Sequence, residues 1–225
     1  GNLRWESVFT DPMLADLINR ALENNTSLEN ARLNVSIAHA QLKGANLAYL
    51  PSVALAPNGA GASYAGSDFS WTYQIPAQVS WEIDIFGKLL NSKRGAKAQL
   101  LQSEDYAQAV RSQIISAVAN TYYGIAALKS QINLSRETAK IWAENVQAMK
   151  DYKLAGRVTE AAVVQSSANY YSILGSITDL EVQLDQLNNT MSTLLNEMPQ
   201  EWNIQASSLD RFAAPDIIRT GVPMA

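Results

Sequence analysis

Between Trp71 and Ile85 hydrophobicity alternates at every residue. Trp71, Tyr73, Ile75, Ala77, Val79, Trp81, Ile83 and Ile85 are apolar or aromatic, whereas Ser70, Thr72, Gln74, Pro76, Gln78, Ser80, Glu82 and Asp84 are not. A period of two belongs to a β-strand, whose side chains point alternately to opposite faces. Upstream, "SVALAPNGAGASYAGSD" (residues 52–68) is small, Gly-rich and uncharged until Asp68. It reads as a second extended segment running into a turn around residues 66–68, so a β-hairpin is expected.

Elsewhere the period lies between three and four. Thr10 and Asp11 are candidate caps and Pro12 suits a first helical turn. Leu14, Leu17, Ile18, Ala21 and Leu22 then follow at helical spacing. Thr26 and Glu29 have capping-box spacing. A second helix is predicted from Ser27 to about Leu50, with Leu28, Ala31, Val35, Ala38 and Leu42 on one face and Pro51 ending it.

No Pro occurs from Ala77 to Met198. Val118, Thr121, Ile125, Leu128, Ile132, Ser135, Ala139, Trp142, Val146 and Met149 alternate spacings of three and four, a heptad seam. A helix over residues 88–154 is predicted, roughly 100 Å long at about 1.5 Å per residue. Gly156 suits a left-handed helix end, and Thr159 with Glu160 can start another. The returning helix, over 158–197, carries Ile173, Ile177, Leu180, Leu184, Leu187, Met191, Leu194 and Met198, and Pro199 stops it. The tail reads as a linker. The fold class is mainly α with one β-hairpin: long antiparallel coiled-coil helices plus two strands.

Three readings of the alternating strand compete. A soluble sandwich strand is common, but such strands run about 3–10 residues, and no series of further short strands accompanies this one. An amphipathic helix is excluded by the period. A membrane β-barrel strand has an apolar face toward lipid, a polar face toward a wet lumen and aromatics at the interfaces. On that reading Trp71, Tyr73, Ile75, Val79 and Trp81 face lipid, and Gln74, Gln78, Ser80, Glu82 and Asp84 face the lumen. Two strands cannot close a barrel, and open edges are not tolerated in lipid. Further strands must come from other copies or other chain. The charged long helices must project into water.

Composition narrows this little. The chain has 225 residues, a formal charge of -4 and no Cys. No extended Lys/Arg run suggests nucleic acid, and no run of 18 apolar residues suggests a transmembrane helix.

"WESVFTDPMLADLINRALENNTSLENARLNVSIAHAQLKGANLAYLPSV" resembles the start of the outer-membrane factors of tripartite efflux pumps, the TolC-like family. "VSWEIDIFGKL" resembles that family's strand-to-helix signature, and "YKLAGRVTEAAVVQ" its helix turn at the periplasmic tip. The pieces occur in the family's order over nearly the whole chain. The resemblance implies a trimer whose protomers carry two similar repeats, twelve strands closing one barrel and the helices forming a periplasmic tunnel. This chain matches one repeat, the N-terminal one. The implied parts are N-terminal helices at 1–50, hairpin strands at 51–86, a long helical hairpin at 87–198 with its tip near 154–160, and a linker at 199–225 toward a second repeat.

The function implied is the channel component of a tripartite efflux or type I secretion system in the outer membrane of a Gram-negative bacterium, of lipoprotein type. Its partners would be a periplasmic adaptor, an inner-membrane pump and outer-membrane lipid. Gly156, Arg157 and Val158 match the tip presented to the adaptor. The family often carries an Asp soon after that Gly, where this chain has Ala161 and Ala162, so gating contacts do not carry over. The alternative from the residues is a periplasmic coiled-coil adaptor or scaffold without a pore. No enzyme, cofactor or metal is expected. The single His39 lacks the ligands of a zinc site, and Glu82 with Asp84 suggests a charged lumen junction rather than an acid/base pair.

Overall fold

A computed structural model describes residues 5–63 and 68–211. The expected turn around 66–68 lies largely outside them. Helices α1 (Pro12–Asn24) and α2 (Thr26–Leu47) precede four short strands: β1 (Ser52–Leu55), β2 (Asn58–Ala62), β3 (Ser70–Gln74) and β4 (Ala77–Ser80). Two long helices follow, α3 (Lys88–Leu154) and α4 (Glu160–Leu195). Short 3-10 turns stand at Trp5–Ser7 and Ala206–Arg211. Mainly helical with a few strands, this is the fold class the patterning predicts.

Contacts divide the chain into two units, residues 1–29 with 109–225, and residues 30–108. In the first, Leu14, Leu17, Ile18 and Ala21 of α1 pack into one core with Val118, Tyr122, Ile125 and Ala126 of α3 and Met191 and Leu195 of α4. Asp11 caps α1 by accepting from the Met13 N–H at 2.9 Å, with Pro12 beside it where no N–H is needed. The expected seam of α3 is buried or half-buried throughout. Antiparallel pairing with α4 is fixed by Arg136 with Glu181 at 2.6 Å and Ser166 with Asn145 at 2.7 Å.

Three boundaries differ from expectation. The α2 cap is Asn25, not the Thr26–Glu29 box: Asn25 Oδ1 accepts from Ser27 N at 3.0 Å and Leu28 N at 3.3 Å. Asn25 Nδ2 also donates to Leu194 O at 2.9 Å, so one side chain caps a helix and ties it to α4. Helix α2 stops at Leu47 rather than about Leu50, because Pro51 has no N–H for the Leu47 carbonyl four residues back and its ring clashes there. Helix α4 ends at Leu195, where Asn196 turns left-handed at φ 56°. Met198 is therefore 83% exposed and outside the seam.

The tail also departs from a free linker. Trp202 and Ile204 are buried in the core of the first unit. The Trp202 indole donates to Asn188 O at 3.2 Å and Ser192 Oγ at 3.1 Å, and Lys129 Nζ donates to Trp202 O at 2.8 Å. Tyr122 Oη bonds Asp11 Oδ2 and Ser208 Oγ, both at 3.0 Å, joining three distant segments. Burial raises the Tyr122 and Tyr123 phenols above their ordinary value. Residues 212–225 lie outside the described residues.

Candidate functional site

The hairpin lies in the second unit. β1 pairs with β4 from Ser52↔Ser80 to Leu55↔Ala77, and β2 with β3 from Asn58↔Gln74 to Ala62↔Ser70, both antiparallel. The register is the same on both sides of the break, so this is one long hairpin interrupted at Pro57 and Pro76. Proline lacks the N–H that a ladder needs. One bond crosses the gap, from Ala56 N to Pro76 O at 3.1 Å. The unbroken strand expected over 70–85 is thus two strands, with Ile75 in the break and the ladder ending at Ser80.

Cross-strand partners share a face. Val53↔Val79, Leu55↔Ala77, Gly59↔Tyr73 and Gly61↔Trp71 lie on one; Ser52↔Ser80, Ala54↔Gln78, Asn58↔Gln74 and Ala60↔Thr72 lie on the other. Every residue of the four strands is exposed. The glycines make room for rings: a Cβ on Gly61 would stand 2.5 Å from Phe69 Cζ, and one on Gly59 would stand 3.2 Å from Tyr73 Cδ1. Phe69, Trp71 and Tyr73 form a ladder with ring centroids 5.0 and 6.1 Å apart. On the polar face the Ser52 and Ser80 hydroxyls meet at 2.7 Å.

At the other end of the apolar face, the Trp81 indole donates to Tyr49 O, just beyond α2, at 3.1 Å. From Trp71 to Trp81 the chain climbs about 33 Å at ~3.3 Å per residue. At a tilt of about 40° that is a band about 25 Å tall, the apolar height of a membrane barrel.

Glu82 and Asp84 are not left open on the polar face. The ladder has ended before them, and both serve the start of α3. Asp84 Oδ2 accepts from Leu90 N at 2.8 Å, and Lys88 Nζ donates to Glu82 Oε1 at 2.8 Å. That bond to Glu82 raises the Lys88 ammonium above its ordinary value. Gly87 turns the chain with φ +72°, where glycine alone is unstrained. "WEIDIFGKL" is therefore a strand-to-helix corner. Gly87, Lys88 and the Leu90 N–H are members the alternation could not reveal; the signal was Asp84 three residues before a Gly.

The tip is a second built feature. Gly156, at φ +69°, closes α3: its N–H bonds Lys153 O, and Arg157 N bonds Tyr152 O, both at 2.9 Å. Lys153 and Glu160 form an ion pair across the turn. Arg157 is exposed, Val158 half-buried and Leu154 86% exposed. A Cβ on Gly156 would meet nothing within 4 Å, so the surface there is open. His39 stands 4.0 Å from Glu104 across α2 and α3, and no metal-holding cluster exists among the described residues.

A family model, outer membrane efflux protein, matches residues 17–197. The probable outer membrane lipoprotein SilC of Salmonella typhimurium is 26% identical over 219 residues, 94% of this chain and 47% of that protein. The cation efflux system protein CusC of Escherichia coli K12 is 26% identical over 223 residues, 95% of this chain and 48% of that one. The toluene efflux pump outer membrane protein TtgF of Pseudomonas putida is 27% identical over 232 residues, covering 98% and 47%. The chain spans about half the length of the curated relatives it matches. Among solved structures, CusC superposes with a TM-score of 0.82 at 23% identity over 97% of this chain and 52% of the other. The open-state MtrE channel of Neisseria gonorrhoeae gives 0.76 at 27% identity, over 91% and 46%.

Proposed function

Because the chain belongs to the outer membrane efflux protein family, we propose that it forms part of the outer-membrane channel of a tripartite efflux or type I secretion system. The channel is a passive duct across the outer membrane and periplasm, and its role is transport rather than catalysis. The observation that carries this reading is the hairpin, which keeps one register from Ser52↔Ser80 to Ala62↔Ser70 and divides into an apolar and a polar face.

Trp71, Tyr73, Ile75, Val79 and Trp81 face lipid on this account, and Gln74, Gln78 and Ser80 line the lumen. Glu82 and Asp84 stand at the lumen's periplasmic rim, held by the corner they build. The assembly is a trimer of two-repeat protomers, of lipoprotein type, and Gly156, Arg157 and Val158 receive a periplasmic adaptor that links it to an inner-membrane pump. A pore-free periplasmic scaffold gives the two-faced hairpin no role. The test is expression in a Gram-negative cell lacking its own efflux channel. Recovery in the outer-membrane fraction with restored export supports the reading; recovery as a free periplasmic protein contradicts it.

A further inference from the structure

Resting on the reading that the hairpin crosses the outer membrane, we propose that Lys43, Lys93 and Lys97 form a cationic collar that binds anionic phospholipid headgroups of the periplasmic leaflet. Both helices that leave the hairpin show the same order of exposed residues. On α2, Leu47 follows Lys43 by one turn, and Leu50 stands just beyond the helix end; these leucines are 53% and 60% exposed. On α3, Leu90 precedes Lys93 by three positions and Lys97 by seven, and Phe86 stands just before the helix, 94% exposed. Spacings of three, four and seven share a helix face. On each helix, then, exposed apolar side chains lie next to the hairpin and lysines lie about one to two turns further away.

The level of the collar is set by contacts. Lys93 Nζ lies 6.0 Å from the Tyr49 ring centroid, and Tyr49 O accepts from the Trp81 indole. Lys93 therefore stands beside Tyr49, the residue whose carbonyl holds Trp81 at the end of the apolar face, and tryptophans at such positions mark the membrane–water interface. Lys88 is different: it turns to Glu82 at the corner. The pairing of His39 with Glu104 and of Tyr49 with Lys93 runs α2 antiparallel to α3. It brings Lys43 within about one helical turn of Lys97 in level.

The charge is uncompensated locally. From Ile85 to Ser103 the chain has Lys88, Lys93, Arg94 and Lys97 and no acidic residue, and from Leu33 to Ser67 it has Lys43 and none. Of the carboxylates flanking these runs, Glu82 and Asp84 are engaged by Lys88 and the Leu90 N–H, and Glu104, seven residues beyond Lys97, lies 4.0 Å from His39. Among the described residues, Lys43, Lys93, Arg94 and Lys97 enter no ion pair. A lysine with an apolar stem, held at headgroup depth without a carboxylate, is the arrangement that favours an anionic over a zwitterionic headgroup.

The test is the selectivity of boundary lipid, read by electron spin resonance of spin-labelled phosphatidylglycerol and phosphatidylcholine around the protein reconstituted in vesicles. Wild type should prefer phosphatidylglycerol by several-fold, about fivefold per engaged lysine at most, and the preference should fall as salt rises. K43Q/K93Q/K97Q should insert equally well and show no preference, while K140Q/K150Q, further along α3, keeps it. Equal binding of both lipids by wild type, or a preference that survives the triple substitution, overturns the collar and leaves the channel reading standing. Stronger selection of spin-labelled lipid A, lost in the triple variant, overturns phospholipid as the partner. Failure to insert into vesicles of any composition overturns the membrane reading and the collar together.

Discussion

The Asp84 carboxylate accepts a hydrogen bond from the Leu90 backbone N–H at 2.8 Å, across the corner where the hairpin becomes α3. The first turn of a helix has N–H groups without intrahelical partners, and here a side chain from the end of the strand segment supplies one. The link is mechanical as well as electrostatic, because it ties the first turn of α3 to the strand end that precedes it.

Asp84→Ala should therefore cost about 1 kcal/mol, the usual value of a lost N-terminal cap. Asp84→Asn should recover most of it. Gly87→Ala, forced to a left-handed φ, should cost roughly 1–2 kcal/mol. Thermal melting of the purified protein checks all three, and an Asp84→Ala melt equal to wild type would show that the bond does not hold the corner.

The tyrosines of the core give the protein an alkaline limit. Burial raises Tyr122 and Tyr123 above the ordinary phenol value. The unfolded phenols ionise first, near pH 10. Stability is fully present below that pH and is lost as pH rises through the higher folded values. Unfolding followed by circular dichroism should steepen above about pH 10, together with tyrosinate absorbance. Tyr122→Phe should weaken this dependence while destabilising at neutral pH, since Asp11 and Ser208 lose a shared partner.

Much of this was legible because the long elements are punctuated chemically. Helix α3 begins after Gly87 and stops before Gly156, both left-handed, and no Pro lies between. Where several residues could serve, the spacing misled. Asn25 and Thr26 both suit a cap, and the choice was made by Asn25 reaching Leu194 O, a contact distant in sequence. Met198 fits the heptad in phase, yet Asn196 breaks the helix before it. The tail after Pro199 has linker composition, and its two apolar anchors, Trp202 and Ile204, are too few to show a period. In the hairpin the two faces were readable, but not the break: Pro57 and Pro76 matter together because the register sets them almost opposite each other. Glu82 and Asp84 were read as a charged pair at the lumen junction; their partners there, Lys88 and the Leu90 N–H, lie beyond the end of the alternation.

At the tip, Gly156→Asp and Arg157→Glu should each impair export while trimers still form. The first adds a charged side chain to an open surface and strains the φ +69° turn; the second reverses an exposed charge. The strain is roughly 1–2 kcal/mol, so a melt accompanies the export assay. Both variants assembling and exporting at the wild-type rate would leave Gly156 as a helix stop without a docking role.

As part of an outer-membrane channel, the hairpin must cross a bilayer with its odd-numbered face in lipid. The direct measurement is arginine substitution along both faces, scored by heat-stable assembly in outer membranes. Ile75→Arg should lose about 2–4 kcal/mol near the midplane, and Tyr73→Arg and Val79→Arg less, toward the ends of the band. Thr72→Arg and Gln78→Arg, on the polar face, should assemble as wild type. Equal loss on both faces, or none on either, would contradict it.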